Sequence, residues 1–297
     1  MKYSSAEPIS KLMMIRNGEK MANYIPYLLL TVVSIGVLIS IFISTKDLSY
    51  LTHYFFIAGL AYVFEYIILI LLDSYTYKPH LLSIVVYDSI LGDLSSQAFA
   101  VPAAAILVTA YQVRLKGILS LVILFIGIEE LFINLNIYDH NWWRTYYTGI
   151  FLFLTFVLVK SFYGLILHFT FIRFVALYFS LVFFLSNGIL VLFLAIPDFY
   201  FQVGWFENSF RDNIAYSTLL ILCKSLFLVL AVYIRRYSVI GFLLVFTLFD
   251  YYLVKIGTLH VPNGYIYPIL FVITLSSYFF IIATNNIWIK KLNKNVI

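Results

Sequence analysis

A succession of apolar runs, each about 20 residues long and separated by short polar breaks, constrains this chain more than any other feature. A segment that crosses hydrocarbon must satisfy its own backbone hydrogen bonds, which leaves helices or closed barrels. A membrane β-barrel would show alternating segments of about 10 residues, and the sequence has none of that pattern. Charge agrees with helices. Only 11% of the 297 residues are charged, against about 25% in an ordinary soluble domain. The fold class is therefore all-α: a polytopic integral membrane helical bundle.

Nine transmembrane helices are expected, at about 24–44, 51–72, 81–111, 117–137, 146–167, 174–196, 213–234, 238–256 and 265–284. Residues 1–23 form a polar N-terminal tail, 24–284 a single transmembrane domain, and 285–297 a basic C-terminal tail. No soluble domain, low-complexity segment or obvious internal repeat is visible. A clustered basic domain is lacking, which argues against nucleic acid as a partner. The expected partners are membrane lipids and a small solute, cation or lipid substrate; oligomeric state is not encoded in any visible pattern. Cys223 is the single cysteine, which excludes an intrachain disulfide and a multi-cysteine metal site.

The third run, Leu81 to Tyr111, is unusual. Its middle carries Asp88, Gly92, Asp93, Ser95, Ser96, Gln97 and Pro102. Ionisable groups inside hydrocarbon cost about 2.5–3.5 kcal/mol on insertion scales and normally face a protein interior or wet cavity. Gly92 and Pro102 are where such a helix is expected to bend or open.

Loop charges set the sidedness. From residue 114 onward one side carries Arg114, Lys116, Arg173, Arg235, Arg236, Lys290, Lys291 and Lys294 without an acid. By the positive-inside rule this side, and the C-terminus, is cytoplasmic. The N-terminal tail, with Lys2, Lys11, Arg16 and Lys20, pulls the other way. Both termini would be inside only with eight spans and a re-entrant third segment. Nine spans is the reading adopted, because it gathers Glu65, Asp88, Asp93, Glu129 and Glu130 in one half of the bilayer, with Asp73 and His140 at the mouth.

That acidic set is the candidate substrate- or ion-binding site: Glu65, Asp88, Asp93, Glu129, Glu130 and His140. Carboxylates gathered in a low dielectric cannot all stay ionised, which suits proton-coupled transport, cation binding or a carboxylate–metal centre. No cofactor is called for, and a divalent cation is the one addition the set leaves open. No residue is marked as catalytic. Lys224 and Asp250 fall near mid-membrane on consecutive spans and are expected to form a buried structural ion pair. HExxH, a glycine-rich phosphate loop and GxSxG do not occur.

Glu129-Glu130 resembles the EExxxR motif of CAAX-type intramembrane proteases, although Asn134 stands at the arginine position. The pair also resembles the double-glutamate motif of membrane lycopene cyclases, with Gly127-Ile128 in place of the usual proline. Asp88, Gly92-Asp93, Pro102, the glutamate pair and His140-Asn141-Trp142-Trp143-Arg144 together look like uncharacterised polytopic membrane proteins of Gram-positive, spore-forming bacteria. That likeness covers about residues 60 to 150 and implies a bacterial cytoplasmic membrane, with no activity to transfer. The function expected is a transporter or permease-like protein for a small solute or cation. The alternatives are an intramembrane enzyme on a lipid or isoprenoid, and a structural or sensory membrane protein without substrate.

Overall fold

The computed structural model describes residues 22–196, 198–234, 238–262 and 266–296; the expected polar tail up to residue 21, Arg235 and Arg236 lie outside them. Nine helices fill the described chain: α1 Tyr24–Thr45, α2 Ser49–Leu71, α3 Val85–Ala110, α4 Leu115–Asn134, α5 Thr145–His168, α6 Thr170–Ala195, α7 Ser209–Ile234, α8 Ser238–Lys255 and α9 Ile266–Val296. Eight are long and apolar enough to cross a membrane, and α8, with 18 residues, rises about 27 Å beside them. The chain is a multi-pass helical membrane protein. Apolar side chains cover its perimeter, as on Val33, Ile43, Ile123 and Leu248, all more than half exposed.

Two features of the third and last helices depart from expectation. Val85–Ala110 is continuous and 26 residues long, so it neither re-enters nor opens at Gly92 or Pro102. A π-helical turn at Ser95–Ala100 precedes Pro102 and takes up the missing backbone donor without a break. Gly92 instead permits a close approach, since a Cβ there would lie 2.6 Å from Tyr77 Cβ. The last helix does not stop near 284 but runs through Val296, and Lys291 on it reaches Asp47 at 2.7 Å. Ser186-Asn187-Gly188 also leaves α6 unbroken, because the Asn187 amide donates back to Phe183 O as the helix passes.

The helices alternate between two ends. At one end two short two-stranded sheets form: β1 (Tyr75–Tyr77) pairs antiparallel with β2 (Tyr138–His140), and β3 (Tyr200–Phe201) with β4 (Leu259–His260). Asn23, before α1, donates to Lys78 O at this same sheet end. The opposite end holds the Asp47–Lys291 pair, Arg114 and Lys116.

The architecture is duplicated, which the sequence reading did not detect. Helix, strand, helix, helix, strand, helix describes both α2–α5 and α6–α9. The hydrogen bonds repeat position by position. Lys78 N donates to Ile137 O at 2.8 Å, and Gln202 N to Thr258 O at 2.9 Å. Tyr77 N donates to Ser89 Oγ at 3.0 Å, and Phe201 N to Asn213 Oδ1 at 2.7 Å. The Asp88 carboxylate accepts from His80, Leu81 and Leu82 N–H, as Asp212 does from Val203, Gly204, Trp205 and Phe206. Helices α4 and α8 both stop on a left-handed residue, Asn136 (φ 58) and Gly257 (φ 76), followed by matching bonds Ile137 N to Phe132 O and Thr258 N to Leu253 O.

The halves pack through α2 and α6. A Cβ on Gly59 would sit 1.7 Å from Phe179 O, so the two backbones touch there. Phe55 and Phe183, the counterparts of Phe179 and Gly59 by the shift that relates Lys78 to Gln202, stack at 6.0 Å. Residues exchanged in this way point to an approximate two-fold axis along the bundle. Helix α1 stands outside the repeat and packs along α3, where Ala103, Ala104 and Ala105 let it approach. In the second half the counterparts Leu226 and Phe227 are exposed.

Candidate functional site

The sheet end of the first half encloses a cavity of about 410 Å³ among α2, α3, α4 and α5. Two carboxylates line it. Glu65 lies on α2 just before a π-helical turn at Tyr66–Leu71. It is buried and accepts 2.7 Å bonds from the Tyr75 hydroxyl on both oxygens and from the Gln97 amide on one. Burial, reinforced by the Glu65 charge, pushes the Tyr75 phenol well above its usual range, so it stays a donor. Glu129 comes from α4, and its Oε1 shares a 2.8 Å hydrogen bond with His140 Nε2 on β2. The β1–β2 sheet thus supplies one partner to each acid.

Aromatic rings form one part of the remaining wall, and aliphatic and small polar side chains form the rest. Tyr75 and Tyr138 meet diagonally across the two strands with ring centres 5.4 Å apart, and Trp143 lies 5.5 Å from Tyr75 and 5.9 Å from Phe151. Burial also holds the Tyr77 and Tyr138 phenols well above their usual range. All five rings line the cavity. Ile67 and Phe151 line it too while being 45% and 40% exposed on the bundle's outer surface, so its mouth faces the apolar perimeter.

A second, smaller cavity of about 90 Å³ lies on the approximate two-fold axis. Its lining comes in matched pairs: Tyr62 and Ser186, Glu65 and Ile189, Leu69 and Phe193, Ile90 and Ile214, Asp93 and Ser217. Asp93 is 5% exposed and its Oδ1 has no hydrogen-bond partner. Glu65 therefore stands between the two cavities, with Glu129 across one and Asp93 across the other. This space is large enough for a water against the unpartnered oxygen.

The other expected site residues have different surroundings. Asp88 spends its carboxylate on three backbone N–H groups of the loop before α3. Glu130 is exposed, accepts from Thr145 Oγ1 at 2.7 Å, and lies outside the cavity lining. Asp73 sits in a left-handed turn 3.5 Å from Arg211, whose guanidinium also donates to Ile70 O and Leu71 O at the end of α2. Lys224 Nζ lies 2.8 and 2.9 Å from the Asp250 oxygens, joining α7 to α8. Among the described residues, no three His, Cys, Asp or Glu side chains converge to hold a metal ion.

Sequence reasoning missed the aromatic wall and the role of Tyr75. The alternating Tyr75-Thr76-Tyr77 was the available signal, since alternation places both tyrosines on one strand face. Comparison with known proteins gives no matching family model, no matching curated protein and no matching solved structure.

Proposed function

We propose that this protein is a transporter-like membrane protein that binds a small solute or cation in the first-half cavity, with Glu65 and Glu129 exchanging protons for it. One observation carries the reading. Two carboxylates from different helices open on a single cavity inside an apolar bundle, and one of them also touches an axial cavity holding a third acid. Intramembrane acids on a shared path suit proton relays. Parallel repeats are a recurrent transporter design, and the smaller cavity that Glu65 also lines lies at their interface. The two π-helical turns, at Tyr66–Leu71 and Ser95–Ala100, flank the cavity where helix geometry most readily shifts.

The basic end is then cytoplasmic by the positive-inside rule, in a bacterial cytoplasmic membrane, and the cavity lies toward the outer face. Single cysteines at Glu207 and Gln112, in a Cys223→Ser background, test this with an impermeant thiol reagent on intact cells. Labelling at 207 alone is expected; labelling at 112 alone would invert the assignment.

For the activity, proteoliposomes loaded with a pH-sensitive dye are challenged with inorganic cations, amines and amino acids. A solute-driven pH change that Glu65→Gln and Glu129→Gln both abolish is expected. A change that both variants retain removes the reading. The second reading is an enzyme acting on a lipid or isoprenoid, favoured by the cavity mouth beside Ile67 and Phe151. Conversion of membrane lipid by the purified protein, lost in Glu129→Gln, would select it.

A further inference from the structure

The repeat allows the first-half cavity to be compared with the same place in the second half. The shift in numbering that relates Ile137 to Thr258 also relates Glu129 to Asp250 and Phe125 to Phe246. In the second half, Lys224 Nζ occupies the space between these side chains, 2.8 Å from Asp250 and 5.8 Å from the centre of the Phe246 ring. In the first half, Glu129 and Phe125 both line the open cavity.

Lys224 has no charged counterpart. Before the π-helical turn of α3, the residues match α7 by the shift that relates Asp93 to Ser217. The π-helical turn adds one residue. Beyond it, the fully buried Ala105, Ile106 and Val108 correspond to Leu228, Val229 and Ala231. Lys224 then corresponds to Val101, and Val101 lines the cavity. One half therefore fills this place with a lysine side chain, and the other leaves it empty between an acid and aromatic rings.

We infer that the first-half cavity binds an organic ammonium ion, its nitrogen lying where Lys224 Nζ lies in the second half. Glu129 supplies the counter-charge. Tyr75, Tyr138, Trp143 and Phe125 offer ring faces, which attract cations most strongly where water is excluded. The apolar lining along Ile57, Leu60 and Leu152 accepts the alkyl part of the molecule. An inorganic cation would leave that apolar volume unused, and a neutral lipid would leave Glu129 with the His140 imidazole as its sole charge partner among the described residues. This inference rests on the proposed cavity reading and names its ligand class.

The test uses the full-length protein in detergent with tetraethylammonium, n-hexylammonium and the neutral n-hexanol as probes, followed by calorimetric titration and thermal melting. Binding of an ammonium probe at least tenfold tighter than n-hexanol, lost by tenfold or more in Glu129→Gln, is expected. Val101→Lys should place an internal ammonium in the cavity and abolish probe binding, while Val101→Met, of similar length and uncharged, should weaken it less. Because a lysine here could prevent folding, Glu129→Gln with its melting curve is the deciding variant. Equal binding of n-hexylammonium and n-hexanol that Glu129→Gln leaves unchanged overturns the ammonium assignment while keeping the cavity. Absence of binding by every probe overturns it as well. A solute-driven pH change retained in both glutamine variants instead removes the underlying transport reading.

Discussion

The two halves share a backbone plan and differ in what they bury. In the first half Glu65, Asp93 and Glu129 face open space; in the second the same places hold Ile189, Ser217 and an Asp250 neutralised by Lys224. The two-stranded sheet and its capping aspartate are common to both, so they are the scaffold of the fold. The acids that differ are what the scaffold supports. A buried carboxylate is costly even when it is partnered, and the second half has removed two of these groups and paired the third with a lysine. The first half retains all three around its cavities, with Glu65 held by Tyr75 and Gln97 and Glu129 by His140, which is the pattern of a site rather than of a core.

The sharpest way to break this comparison is at the seam. Gly59→Ala would drive a methyl into Phe179 O and force α2 and α6 apart, so a loss of about 4 kcal/mol or more is expected in denaturant-induced unfolding. Normal stability would mean that the halves are not in backbone contact. Lys224→Met comes next. It strands Asp250 in the interior and should cost about 3–5 kcal/mol, much of it recovered in Lys224→Met/Asp250→Leu. If the single variant melts like wild type, the pair is not what seals the second half.

Copying the second half into the first gives an effect of opposite sign. Asp93→Ser installs the Ser217 counterpart and removes an unpartnered buried oxygen, so stability should rise by about 1 kcal/mol in the same assay. A fall would show that Asp93 has a partner in solution.

The smallest effect belongs to Asp47, at the basic end of the seam. Burial raises its pKa, but bonds from the Lys291 ammonium and from Ser49 outweigh this and hold it below the usual carboxylate range. A depressed folded-state pKa adds stability above the unfolded value, about pH 4, and loses it as pH falls through the folded value. Asp47→Asn should therefore lower the melting temperature slightly near neutrality. The difference from wild type should shrink as the pH drops below about 4.

Much of the fold was legible because apolar run length alone fixes where helices cross. The runs at 24–44 and 146–167 became Tyr24–Thr45 and Thr145–His168. The candidate site was legible only as a list of acids. The candidate set held Glu129 and Glu130 together, yet only Glu129 faces the cavity, because the contacts of α4 with α5 and β2 set its rotation. Asp88 looked like its neighbour Asp93, and only the folded loop before α3 takes up its carboxylate. The duplication left almost no trace beyond Asp88-Ser89-Ile90 and Asp212-Asn213-Ile214, since lipid-facing positions accept nearly any apolar residue.

The sequence by itself determined that the chain must be a bundle of membrane helices, how many apolar runs it has, and which ionisable groups fall within those runs. Those are local properties, set by the cost of exposing backbone and charge to hydrocarbon. Tertiary structure decided that α3 runs without a break, that a two-stranded sheet clasps each of two equivalent halves, and that one half stays hollow where the other is closed by Lys224. These depend on which helices meet and on one residue absorbed in a π-helical turn, and hydropathy carries no information about either.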